Sequence, residues 1–156
     1  MKTYSRWVPE LSSLVLMIAL MITAFLCGMA AQRTPKTLWV GDSIVSLAPV
    51  PGIKHSAYGC TVKYLTQHAD VTQWPNTRYD RIIIMAGTAD MMRGAPIETV
   101  RADIQELADT LYKMHGVKPI IIDPAVIHQF ADTPDGFHLT APAYANLMQY
   151  AGIASS

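Results

Sequence analysis

The chain has 156 residues, 51% of them hydrophobic and 15% charged, with twelve basic side chains set against twelve acidic ones. That is enough chain for one domain with a real core, and too apolar for disorder. Zero formal net charge without a basic run excludes a nucleic-acid footprint and a polybasic membrane patch, and two cysteines cannot build a disulfide framework or a zinc site.

The apolar excess sits at one end. Residues 11–32 carry no charge and include the run LVLMIALMITAFLCGMAA. As a helix they reach about 30 Å, the thickness of a bilayer's hydrocarbon core. No face of the segment is polar, which argues against a helix buried in a soluble domain. Its length favours a retained transmembrane anchor over a signal peptide, whose apolar core runs to about 7–15 residues. Gly28-Met29-Ala30-Ala31 offers small residues for cleavage, so secretion after cleavage is the alternative. Cys27 reads as an apolar residue of this helix, because Leu26 stands where a lipobox needs a small residue. Lys2 and Arg6 precede the span, while Arg33 and Lys36 follow it. Counting the α-amino group, residues 1–10 are expected in the cytoplasm and 11–32 in the bilayer. Residues 33–156 then form a compact domain on the periplasmic or extracytoplasmic side.

Within that domain Thr37–Val40 reads as a short strand ending at Gly41, and Ala48–Gly52 as a turn-rich loop. A weaker strand fits Gly52–Tyr58, and a short helix fits Thr61–His68. Arg81–Ala86 is a continuous apolar run that reads as a strand buried on both faces, and Val117–Asp123 repeats that design. Between them, Pro96–Lys113 places Ile97, Val100, Ile104, Leu107 and Leu111 on one helical face. Pro96 suits its first turn and Gly116 its end. Ala141–Ile153 is the last helix candidate. Strand and helix in alternation imply right-handed crossovers and a three-layer α/β/α sandwich around a small parallel sheet.

Ligands of doubly wound sheets bind at the carboxyl ends of the strands. There stand Gly41-Asp42-Ser43 and Gly87-Thr88-Ala89-Asp90, and Asp135-Gly136-Phe137-His138-Leu139-Thr140 precedes the last helix. Each motif is weak alone; their order and placement carry the argument. A serine hydroxyl attacks poorly until a base takes its proton, and histidine oriented by a carboxylate is the usual base. Ser43, His138 and Asp135 supply that set, without the G-x-S-x-G elbow of α/β-hydrolases. The bland alternatives are Ser43 as a helix cap and His138 as a packing residue. Asp42 and Asp90 read as turn or cap anchors and Cys60 as a small buried residue. His55, His68, His115 and His128 lack metal spacing, and no cofactor or metal is indicated. Met91 and Met92 either line a pocket mouth or fill core.

Gly41-Asp42-Ser43-Ile44, the glycine of Tyr58-Gly59-Cys60-Thr61, Gly87-Thr88-Ala89-Asp90 and Asp135-Gly136-Phe137-His138 follow a block order that resembles the SGNH, or GDSL-type, esterases and lipases. The resemblance spans residues 37–152. It implies a flavodoxin-like sandwich, Ser43 as nucleophile, Asp135 and His138 as its partners, and the backbone N–H groups of Ser43 and Gly59 as oxyanion hole. Asp42, Gly87, Ala89 and Asp90 would frame the site. The family's third block is G-x-N-D, and its Asn is an oxyanion donor; here Ala89 occupies that place and cannot donate. Losing one such donor costs about 10²–10³ in kcat. Thr88, Asn76 and His55 are candidate substitutes. The short stretch between Asp123 and Asp135 implies a shallow site suited to a small acyl group, such as acetyl, on a larger acceptor such as a glycan. The expectation is a membrane-tethered serine esterase; an acyltransferase with the same triad and a binding module of the same fold are the alternatives.

Overall fold

The computed structural model describes residues 15–24, 35–69 and 78–153. The chain divides into two units, Met1–Thr34 and Pro35–Ser156. In the first, residues 15–24 form a helix, α1, whose large apolar side chains from Val15 to Ile22 are exposed. Among the described residues no helix is long and apolar enough to cross a membrane. The rest of the expected span, residues 11–14 and 25–32 with Cys27, lies outside the described residues, as do residues 1–10.

The second unit is built on four parallel strands: β1 (Thr37–Gly41), β2 (Ile53–Ser56), β3 (Arg81–Met85) and β4 (Ile120–Ile121), in the order β2-β1-β3-β4. This is the flavodoxin-like order, whose switch point falls between β1 and β3. Among the described residues six helices accompany it: α2 (Ser43–Leu47), α3 (Val62–Ala69), α4 (Thr88–Met92), α5 (Ile97–His115), α6 (Pro124–Gln129) and α7 (Ala141–Tyr150).

The period-two geometry of a strand sends alternate side chains to opposite layers. Leu38, Val40, Ile82 and Ile84 pack with Val62 and Leu65 of α3 and with Val100, Ile104, Leu107 and Leu111 of α5. Trp39, Ile83 and Met85 face the other way, onto Ile44 and Val45 of α2, Ile127 of α6, and Tyr144 and Leu147 of α7. Gly116 ends α5 in the left-handed conformation and donates its N–H to the Tyr112 carbonyl.

Val117–Asp123 departs from expectation. Only Ile120 and Ile121 form strand, and they are 40% and 39% exposed instead of buried on both faces. β4 is an edge strand with β3 as its one partner, and Pro119 just before it has no N–H to extend the ladder. The buried residue here is Ile122, whose N–H donates to the Ile84 carbonyl at 3.0 Å. The short helices α2, α4 and α6 also went unanticipated, since none is long enough to show a period.

β1 ends in glycine because nothing larger fits. A Cβ on Gly41 would lie 1.9 Å from the Met85 carbonyl oxygen and 2.6 Å from Val45 Cγ2. Gly41→Ala is therefore expected to push β1 from β3 and cost about 2–4 kcal/mol. Urea unfolding of the two proteins checks this, and equal midpoints would contradict the contact.

Candidate active site

The site begins with Asp42, fully buried just after β1. Its Oδ1 accepts the Ile44 N–H at 3.0 Å, which makes Asp42 the N-cap of α2. Its Oδ2 accepts the Ala89 N–H at 3.2 Å, and the Thr88 backbone also hydrogen-bonds to it. Burial pushes the Asp42 carboxyl up, and these N–H groups oppose that shift. Ser43 is thus the first residue of α2 and not its cap, so its hydroxyl is left for other work. From the far side the buried Tyr144 hydroxyl donates to the Ile44 carbonyl and fixes α2 onto α7.

His138 bridges two residues. Its Nε2 lies 2.9 Å from Ser43 Oγ, a contact spanning 95 positions of sequence. Its Nδ1 lies 2.5 Å from Asp135 Oδ2. Asp135 Oδ1 accepts the N–H groups of Phe137 at 2.9 Å and His138 at 3.0 Å, with the Thr133 hydroxyl 2.7 Å away. The His138 ring, followed by these groups, holds the Asp135 carboxyl well below the usual aspartate range. An ionised carboxylate only accepts, so Nδ1 carries the ring proton and the lone pair of Nε2 faces the serine hydroxyl. Ser43 is buried, the His138 side chain is 14% exposed and that of Asp135 45%.

The loop that carries the pair is closed by Asp132. Its carboxylate accepts both the Thr140 N–H at 2.7 Å and the Thr140 hydroxyl at 2.5 Å. Asp132 and Thr133 went unnoticed in the sequence, although the Asp/Thr-rich stretch before Gly136 is the composition of a hydrogen-bonded loop, and Thr140 stood out only as the end of its motif. Tyr58 was missed as well: its ring stacks on His138 with centroids 6.0 Å apart and planes 14° apart, and it is 74% exposed.

Tyr58 introduces Gly59, which adopts φ 67°, a left-handed conformation that suits glycine. The next residue, Cys60, is buried with its thiol directed at the Gly41 carbonyl, 3.7 Å away. This turn therefore lies beside the end of β1. Ala89 is buried in the first turn of α4. Gly87 before it has φ 100°, and a Cβ there would strike Val100 Cγ1 at 2.4 Å. Asp90 is an anchor: its Oδ2 accepts the Val62 N–H at 3.0 Å, and desolvation raises its carboxyl.

Two candidate substitutes for a side-chain donor fail on geometry. Thr88 Oγ1 is sealed from solvent without a hydrogen-bond partner among the described residues, so an incoming ester oxygen cannot reach it. His55 pairs in register with Val40 and so faces the α3/α5 layer, away from α2. Asn76, the third, lies outside the described residues. Met91 packs partly buried against the α3/α5 core, whereas Met92 is exposed. His68 stacks on Tyr64, His115 meets Tyr79 edge-on and His128 lies against Phe137. Among the described residues no group of three or more His, Cys, Asp or Glu could hold a metal ion.

No protein-family model matches the sequence, and no curated protein matches it. Among solved structures, the chain is similar to a member of the lipolytic protein G-D-S-L family from Veillonella parvula DSM 2008, at 15% identity and a TM-score of 0.53, covering 76% of this chain and 96% of that one. A psychrotrophic esterase, EstA, from Pseudoalteromonas sp., in a structure inhibited by monoethylphosphonate, aligns at 12% identity and a TM-score of 0.47, over 76% of this chain and 96% of its own. The second unit thus has the G-D-S-L type of α/β fold.

A depressed aspartate gives the fold stability that is complete above the unfolded value near pH 4 and lost as pH falls through the lower folded value. The Asp135–His138 contact should accordingly persist below about pH 4, where ordinary aspartates protonate. A ¹³C NMR titration of the Asp135 carboxyl checks this, and an inflection at the ordinary aspartate value would contradict it.

Proposed function

We propose that the domain is a serine ester hydrolase acting on small O-acyl groups, with Ser43 as nucleophile, His138 as base and Asp135 as the group that orients and charges the base. One observation carries this reading: His138 stands within hydrogen-bonding distance of Ser43 on one ring nitrogen and of an ionised Asp135 on the other.

The steps follow from that arrangement. Ser43 Oγ attacks the ester carbonyl carbon as its proton passes to Nε2, and the carbonyl π electrons move onto oxygen. The backbone N–H groups of Ser43 and Gly59 receive that oxyanion, at the end of β1 and on the Tyr58–Cys60 turn. Collapse of the tetrahedral intermediate expels the alcohol, which takes the proton back from Nε2 and leaves an acyl-serine. Water, deprotonated by His138, then releases the carboxylic acid and restores the hydroxyl. Each proton enters and leaves through one nitrogen, while Asp135 stabilises the imidazolium between steps.

Ala89 stands where the family's oxyanion Asn would be, so two backbone donors do the work of three and turnover is slower by about 10²–10³. The binding-module reading draws on that same residue; the alignment of Ser43, His138 and Asp135 weighs against it. The acyltransferase reading differs only in the acceptor, a sugar hydroxyl in place of water. A short, open site suits an acetyl-like group on a bulky acceptor such as a glycan. The apolar helix α1, with its large side chains exposed, supports residues 11–32 as a bilayer tether; the flanking charges put the domain on the extracytoplasmic side in this reading.

The full chain in a nonionic detergent should be labelled by a fluorophosphonate on Ser43, and Ser43→Ala should abolish the adduct in an intact-mass measurement. Asp135→Asn should lower kcat on acetyl esters by about 10³–10⁴. A folded protein that takes no label would reject the hydrolase reading. For the tether, alkaline extraction of cell membranes should leave the chain in the pellet; its release into the supernatant would reject residues 11–32 as an anchor.

A further inference from the structure

We infer that Arg93 is the anion-binding residue of this site, so that the ester bound there carries a carboxylate or phosphate near the scissile bond. The word ester rests on the hydrolase reading above; the binding of an anion rests on geometry alone.

Arg93 follows Ala89 by four positions, at the C-cap of α4, and so lies on the same side of that helix one turn on. The guanidinium turns toward the site, where Nη2 donates to the Gly59 carbonyl at 2.8 Å. Gly59 lies between Tyr58, stacked on His138, and Cys60, directed at the Gly41 carbonyl two residues before Ser43. The positive charge therefore stands one residue from the ring that covers the base.

Its partner there is a neutral carbonyl, which uses one of five guanidinium donors. Among the described residues the ion pairs are Arg101 with Glu98 and Asp123, and His138 with Asp135; none involves Arg93. Asp90 is near enough to feel its charge, but the Asp90 carboxylate is engaged with the Val62 N–H at the start of α3. Lys54, the other cation of this region, is turned away and donates to the Ala48 carbonyl at the end of α2. Arg93 is exposed, so its remaining donors face solvent on the Gly59 side of the site. A planar fork held at one corner, with no direct ion pair among the described residues, is suited to the two oxygens of a carboxylate or phosphate. With the small acyl group of the proposed function, the anion belongs to the alcohol portion, as in an acidic or phosphorylated sugar.

The test uses the full chain carrying Ser43→Ala, which cannot be acylated, in nonionic detergent. Phenyl acetate is compared by ligand-observed NMR with 4-acetoxybenzoate and 4-acetoxyphenyl phosphate, esters of the same shape that add a carboxylate or a phosphate. At low salt one or both anionic esters should bind about three- to tenfold more tightly than the neutral one. The advantage should shrink with added salt. It should disappear with Arg93→Gln and return in part with Arg93→Lys, which keeps the charge but not the fork. Equal binding of all three esters, binding of none, or an advantage that survives Arg93→Gln overturns the inference. Because acylation plays no part in this measurement, it stands apart from the hydrolase reading, which fails separately if wild-type Ser43 takes no fluorophosphonate.

Discussion

One buried carboxylate organises the molecule. Asp42 closes β1 and receives backbone N–H groups from Ile44 in α2 and from Thr88 and Ala89 in α4. A carboxyl removed from water is costly unless such donors replace its hydration, so neither helix can leave without exposing the deficit. The two helix starts are thereby locked to the same residue, and Ser43 is held next to it. Both contacts of α4 with Asp42 run through the main chain. The side chain at position 89 is consequently irrelevant to docking α4, which is why alanine can stand there with the frame intact.

The fold was legible wherever burial imposed a period. The apolar runs Thr37–Val40 and Arg81–Ala86, buried on both faces, and the three-four stepping of Val100 to Leu111 are demands of the core, and the core obeys them. Val117–Asp123 misled because an apolar run at a sheet edge looks like one at the centre; composition does not encode how many neighbours a strand has. At the site, Ser43, Asp135 and His138 stood out through motif order and the chemistry of nucleophile activation. Tyr58 and Arg93 did not, because each matters through a partner distant in sequence, His138 for one and the Gly59 carbonyl for the other. The pairing of Asp132 with Thr140 was similarly silent: eight residues apart, they follow no helical or strand spacing, yet their hydrogen bonds close the loop that carries His138.

Exposure rises from the buried Ser43 through His138 to a half-exposed Asp135. Water and salt therefore attenuate the field that the carboxylate exerts on the imidazole, compared with a carboxylate sealed in a dry pocket. What holds Asp135 in its charged form is local hydrogen bonding, chiefly the His138 ring and the N–H groups of its own turn. Such a turn needs no surrounding wall, so a small domain with few elements around its site can still present an oriented histidine.

The 95-residue separation between Ser43 and His138 also bears on how the protein is made. At a synthesis rate of about 5–20 residues per second, the serine leaves the ribosome several seconds before His138 exists. Throughout that interval the hydroxyl is chemically ordinary, whatever the early strands have already built. In the proposed mechanism, reactivity arrives only when α7 docks and brings the preceding loop against α2, so a truncated or stalled product would carry Ser43 without the groups proposed to activate it.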